Sequence, residues 1–336
     1  MIPDMLPKTL RDRLAVPFKS GSASTVSMYL NRTTIWKVAA KSFRRYWQLY
    51  LIMLPALLYF IIFKYIPMAN AVLAFKDYNM VLGIWGSPWV GFKYFTMFFN
   101  NPVFWTLIQN TLGLSFYALI VGFPIPILLA VFLNEIKDGV FKRAVQMITY
   151  APYFMSTVIM VSMILLMLAP RLGVVNVAMR EMGMQAINFF GIPKFFSSIF
   201  VWSGVWQFSG YAAIVYLAAL AGVDPQLYEA AKVDGASRIQ RIINVDLPGI
   251  MPVAVILLIL NVGSLLVVGF EKVYLMQNPL NLGTSEVIAT YVYKIGLLNS
   301  NFSFATAVGL FNSVINMILL VLVNSFAKRV SDTSLW

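Results

Sequence analysis

The sequence predicts an all-α polytopic membrane protein with six transmembrane helices, and three observations carry that prediction. Hydrophobic residues make up 60% of the 336-residue chain and charged residues 11%, at a mean hydropathy of +0.78. Soluble domains ordinarily carry roughly a quarter of their residues charged. Six runs of at least 18 residues lack Asp, Glu, Lys and Arg: 46–63, 94–134, 144–170, 195–223, 247–270 and 295–327. Each can cross a bilayer core, which takes about 20 helical residues. Finally, Lys and Arg sum to 17 and 8 in alternate connections, and the heavier side is cytoplasmic by the positive-inside rule. Both termini and the stretch 224–248 then lie inside.

Residues 1–45 hold 9 of the 25 Lys and Arg and no long apolar core, so they read as a basic cytoplasmic tail rather than a cleavable signal. Within it, residues 36–47 suit either a helix at an anionic membrane surface or an unstructured basic arm. The first span continues past Lys64, whose stem can snorkel, toward Phe75. In the outward connection 64–93, Trp85 and Trp89, followed by Tyr94, suit the membrane interface. Asn100, Asn101 and Pro102 move the second span to 105–133, where Pro124 and Pro126 imply a kink or a hinge.

The fourth run contains VWSGVWQFSGY, with Trp202 and Trp206 one turn apart and Gln207 beside Ser203. Indole faces and amides suit sugar rings and hydroxyls, while interfacial anchoring and packing are the commoner uses of Trp in a span. Asn261 in the fifth span and Asn312 in the sixth suit a solute path or interhelical hydrogen bonds. Ser300 to Ser303 place the start of the sixth span near Phe304.

The stretch 224–248, DPQLYEAAKVDGASRIQRIINVDLP, is the one long mixed-charge segment between two apolar runs. Asp224 is an acceptor at a helix N-cap, and Pro225 follows where a missing N–H costs nothing. Leu227, Tyr228, Ala230 and Ala231 give that helix an apolar side with small residues, and Gly235 after Asp234 supplies the permissive backbone that ends it. A second short helix follows, with Ile239, Ile242 and Ile243 on one face, until Pro248 and Pro252 mark the return to the membrane. By composition alone this is equally a solvated loop with two amphipathic turns.

Composition also excludes. With no Cys and no His, the chain lacks disulfides, thiolate metal sites and the commonest general base, which argues against an enzyme. The net charge of +12 reports membrane orientation rather than nucleic acid. The six runs lack the ionisable groups that proton- or sodium-coupled carriers bury. No Lys follows a Gly, so a phosphate-cradling P-loop cannot occur in this chain.

Glu229-Ala230-Ala231, then Asp234-Gly235-Ala236, then Val245-Asp246-Leu247-Pro248 resembles the EAA loop of permease subunits in type I ABC importers, departing from it only at Val245. LYLIMLPALLYFIIFKYIPM, GIWGSPWVGFKYF, YLAALAGVDPQLYEAAKVDGA, TYVYKIGL and FSFATAVGLFNSVIN are similar to the complex-oligosaccharide branch of the carbohydrate-uptake permeases. The resemblance implies a transmembrane permease domain over 46–330 with the type I ABC importer permease fold, in the bacterial inner membrane. The first short helix of the loop is then a coupling helix that docks on a cytoplasmic ATPase through Glu229, Ala230, Ala231, Asp234 and Gly235. Implied partners are a second, related permease, two ATPase subunits that bind ATP and Mg, and an extracytoplasmic solute-binding protein. No cofactor belongs to this chain. The implied cargo is oligosaccharide, acidic ones such as alginate included. An ion-coupled secondary carrier and a membrane scaffold stand as alternatives, and co-purification with an ATPase separates the importer from both.

Overall fold

The computed structural model describes residues 32–330, so residues 1–31 of the expected tail lie outside the described residues. The chain divides between Ala69 and Asn70 into two compact units. In the first, α1 (Arg32–Phe60) is kinked at Tyr46 and continues through a π turn, Ile61–Tyr65, into Ile66–Met68. The principal helices of the second are α2 (Phe104–Gly122), α3 (Pro124–Glu135), α4 (Val140–Tyr150), α5 (Thr157–Met167) and α6 (Pro193–Ala221). They continue with α7 (Pro225–Val233), α8 (Arg238–Arg241), α9 (Leu247–Gly263), α10 (Phe270–Met276), α11 (Ile288–Tyr293) and α12 (Phe302–Val330).

Among the described residues, five helices are long and apolar enough to cross a membrane: Phe43–Phe75, Phe104–Glu135, Pro193–Ala221, Arg238–Gly263 and Phe302–Lys328. A bent pair, Val140–Phe154 with Thr157–Met167, brings the number to six. The third expected crossing is therefore not straight, since its halves meet at 101°. Pro152 lies in the 3-10 turn Ala151–Phe154, Met155 leaves it extended, and Ser156 caps α5 by accepting from the Ile159 N–H. The carbonyl that the bend strands, on Met155, accepts a hydrogen bond at 3.1 Å from Gln207 of α6. A backbone acceptor without water needs such a partner.

Proline acts differently elsewhere. Pro124 and Pro126 remove two donors from the hydrogen-bond ladder, but Phe123 before them still donates to the Leu119 carbonyl at 3.0 Å and keeps helical dihedrals, so α2 and α3 form one span. Of the three π turns among the described residues, two, Ile61–Tyr65 and Ile242–Asp246, end two residues before a proline, Pro67 and Pro248 respectively. A proline ring collides with the carbonyl four residues back, and a π turn widens the helix there. Consequently the helix does not break at Pro248: α8, the π turn and α9 form one helix from Arg238 to Gly263.

Helix α6 is the central strut of the second unit. Its Phe196, Phe200 and Val201 join Leu114 of α2, Met160 of α5 and Met276 of α10 in one core. Further along, its Ala213, Tyr216 and Leu220 meet Ala130 of α3 and Ile250 and Ala254 of α9 in a second. In lipid, helices associate by close packing rather than by a hydrophobic drive. Gly210 of α6 meets that need, because a Cβ there would overlap the Thr149 carbonyl of α4.

A third core joins the 70–99 connection to α2, α11 and α12 through Phe98, Leu107, Ile288 and Phe304. Trp85 and Trp89 are exposed there, whereas Tyr94 is buried and donates to Asp77 at 2.6 Å. Lys93 pairs with the same half-exposed carboxylate at 3.0 Å.

Candidate functional site

The structure builds the 224–248 segment as a rigid two-helix device. Asp224 accepts from the Gln226 N–H at 2.9 Å, with Pro225 at the first helical position of α7. At its end Gly235 has φ +72°, and two crossed bonds, Gly235 N–H to Lys232 O at 3.1 Å and Ala236 N–H to Ala231 O at 2.9 Å, close a Schellman motif. Ser237 and Gln240 then form a reciprocal capping box that opens α8. That S-x-x-Q spacing was readable in the sequence.

Glu229, Ala230, Asp234 and Gly235 are exposed and Ala231 is partly covered. Beside them Leu227, Val233, Ile239 and Ile243 leave apolar side chains in the open, Val233 to 88%. Tyr228 points the other way. Its hydroxyl donates to Oδ1 of Asp246, a fully buried carboxylate in the π turn, to which Asn134 at the end of α3 also donates at 3.4 Å. Burial first, then the Asp246 hydrogen bond, pushes the Tyr228 phenol up to about 12, so it remains a donor. Next to Asn134, Glu135 pairs with Arg241 of α8 at 3.5 Å, both side chains largely covered. The loop is thus tied to the end of α3 at two points. Sequence reasoning named Asp246 only as part of the loop motif and missed Asn134 and Glu135, because their partners lie far along the chain.

A cavity of about 670 Å³ lies among α2, α6, α9 and α10. Gln207 and Asn261 line it, together with Ser115, Gly204, Tyr216 and Lys272. Trp202 and Trp206 stand off this wall, each about half exposed, and the Trp202 indole donates to the Tyr117 hydroxyl at 3.0 Å. Asn312 of α12 is also absent from the lining, and its Oδ1 is buried without a hydrogen bond. Lys272 of α10 is buried, donates to the Phe200 carbonyl at 2.7 Å and lies 4.7 Å from the Phe200 ring centroid. Burial pushes its ammonium down to about 7.

Comparison with known proteins places this arrangement. Residues 122–332 match the family described as binding-protein-dependent transport system inner membrane component. The polygalacturonan/rhamnogalacturonan transport system permease protein YteP of Bacillus subtilis (strain 168) is 44% identical over 288 residues, 86% of this chain and 90% of that protein. Protein LplB of the same organism is 43% identical over 301 residues, 90% of this chain and 94% of that protein. Among solved structures, a bacterial ABC transporter involved in the import of the acidic polysaccharide alginate has a chain that superposes with a TM-score of 0.81 at 38% identity. That match covers 87% of this chain and 99% of the other. By the family match and these relatives, the chain belongs to the inner membrane components of binding-protein-dependent transport systems, the permeases of ABC importers.

Proposed function

We propose that this chain carries oligosaccharides, uronate-rich ones included, across the bacterial inner membrane, driven by ATP that partner subunits hydrolyse with Mg. The observation that carries the reading is the two-sided α7 helix: Leu227 and Val233 exposed on one side, Tyr228 fastened to buried Asp246 on the other. Glu229, Ala230, Ala231, Asp234 and Gly235 form the part that docks in an ATPase cleft. Because α8 runs without interruption into α9, a push on α7 reaches the Arg238–Gly263 span as a rigid displacement. The same push reaches α3 through Asn134 and Glu135. The cavity among α2, α6, α9 and α10 is the solute path, with Gln207 and Asn261 as hydrogen-bonding groups. Trp202, Trp206 and Asn312 stand off that wall and serve packing or the contact with a second, related permease.

Both termini and the 224–248 segment lie on the cytoplasmic side, and a solute-binding protein delivers cargo to the opposite face. A complex of the alginate importer with a pentasaccharide-bound periplasmic protein supports such a partner. The cargo class follows the relatives, since YteP is named for polygalacturonan and the structural neighbour for an acidic polysaccharide. Uptake of labelled oligogalacturonate into proteoliposomes holding the whole complex tests the reading. Uptake should require internal or external ATP on the side of α7 together with the binding protein. A proton gradient that suffices without nucleotide overturns it.

A further inference from the structure

Three polar residues line the cavity with bonding capacity left over. Ser115 of α2 and Gln207 of α6 are buried, and Ser115 Oγ and Gln207 Oε1 have no hydrogen-bond partner. The third is Lys272 of α10, 7% exposed, whose ammonium makes one hydrogen bond, to a backbone carbonyl. Among the described residues no carboxylate lies within ion-pair distance of it. Glu271, the next residue, also lines the cavity but is exposed and does not pair with it.

The room for this ammonium is built in. Gly204 of α6 faces Lys272, and a Cβ there would come within 3.1 Å of Nζ. A lysine buried only for packing is costly, because desolvation penalises the charged form and the Phe200 carbonyl and ring offset that penalty without supplying an opposite charge. A carboxylate arriving in the cavity supplies what is missing, and a charge-assisted bond there is stronger than a neutral one. The neighbouring oxygens suit the rest of a sugar: Gln207 Oε1 accepts from a hydroxyl, and Ser115 Oγ can donate or accept. Phe200, Phe208 and Phe270 add apolar ring faces to the same wall, against which sugar C–H surfaces pack.

We propose that Lys272, with Gln207 and Ser115, forms a carboxylate subsite inside the permease that selects uronate units of the passing oligosaccharide. This rests on the import reading above and deepens it, because it places part of the selectivity in the membrane subunit rather than only in the binding protein. Lysine in the FEKVY stretch would otherwise read as an ordinary charge in a connection.

The test uses the complete complex in proteoliposomes, with ATP and binding protein. The two probes are an oligogalacturonate about five units long and its carboxyl-reduced, neutral counterpart. Lys272→Gln should raise the KM for the charged probe relative to the neutral one about tenfold, and Lys272→Arg should restore most of that ratio. Gly204→Ala, which crowds Nζ without removing the charge, should shift the ratio in the same direction by a smaller factor. A wild type that carries only the charged probe supports the inference if Lys272→Gln loses that uptake and Lys272→Arg keeps it. Equal effects of Lys272→Gln on both probes, or an unchanged KM for the charged one, overturn the inference. So does a wild type that carries the neutral probe alone. If Lys272→Gln does not assemble, Gly204→Ala decides alone: an unshifted ratio overturns the subsite. A wild type that takes up neither probe with ATP withdraws the import reading itself, and the subsite with it.

Discussion

The Tyr228 hydroxyl donates to Asp246, 18 residues further along the chain, and so locks the first helix of the charged loop against the turn that leads into the next span. Asp246 has few other partners. Asn134 reaches Oδ1 at 3.4 Å and Oδ2 has no hydrogen bond, so the phenol is the principal contact of a fully buried carboxylate.

Removing that contact should be costly. A hydrogen bond to a charged group contributes about 1.5–3 kcal/mol, and its loss strands the acid. Tyr228→Phe should therefore lower the thermal midpoint of the purified complex and cut uptake more than it cuts ATP hydrolysis. Thermal unfolding and paired uptake and ATPase assays measure this. Equal stability and an unchanged ratio would refute the lock.

Gly235 makes a cleaner backbone test. At φ +72° an L side chain costs about 1–2 kcal/mol, and a Cβ there meets nothing within 4 Å, so strain is the whole effect. Gly235→Val should impair coupled uptake while leaving membrane insertion intact, and Gly235→Asn should be better tolerated, since Asn visits this region more readily. Uptake at wild-type rates in the valine variant would show the turn to be dispensable.

Docking of α7 can be read by cross-linking, because the chain has no native thiol. Ala230→Cys, on the exposed part of the helix, should form a disulfide with a cysteine on the ATPase cleft wall, which requires Cα atoms within about 7 Å. Val81→Cys, 93% exposed in another connection, is the control and should not cross-link. Ser87 looks equivalent in the sequence but is buried, with its hydroxyl bonded to Asn79 and Gly83, and would give a false negative. Indistinguishable yields at positions 230 and 81 would remove the coupling assignment.

The Glu135–Arg241 pair should show interaction in a double-mutant cycle. Both side chains are mostly covered, at 20% and 17% exposure, so the coupling should be about 1 kcal/mol rather than the near-zero value of open surface pairs. Glu135→Gln, Arg241→Gln and the double variant, compared by thermal unfolding, give that number. Strict additivity would mean that the loop is not held to α3 through this contact.

What was legible in the sequence was local. Long charge-free runs announce spans, and Asp224-Pro225 and Gly235 announce helix ends, because each signal sits within a few residues of its effect. The 101° bend was not legible, since the carbonyl freed near Pro152 is stabilised by Gln207, 52 residues away. The same distance problem hides Asp246, which reads as an ordinary loop acid until Tyr228 and Asn134 are folded over it. Trp202 and Trp206 show a further limit. Helical spacing tells which residues share a face, but not whether that face meets a cavity or the outside.

The π turn at Ile242–Asp246 carries one residue more than an α-helix would need between Arg241 and Leu247. An α-helix turns about 100° per residue and a π turn turns less, so the five residues of this turn and four of an α-helix sweep nearly the same angle. Deleting one residue here would return the segment to α geometry with α8 in nearly its present phase, whereas a deletion elsewhere in the helix would spin α8 by about 100° relative to the span. The turn is thus a slack link that lets the helix change length without turning the loop. Loops exchanged between permeases that differ by one residue at this point would still be aimed at the same partner surface.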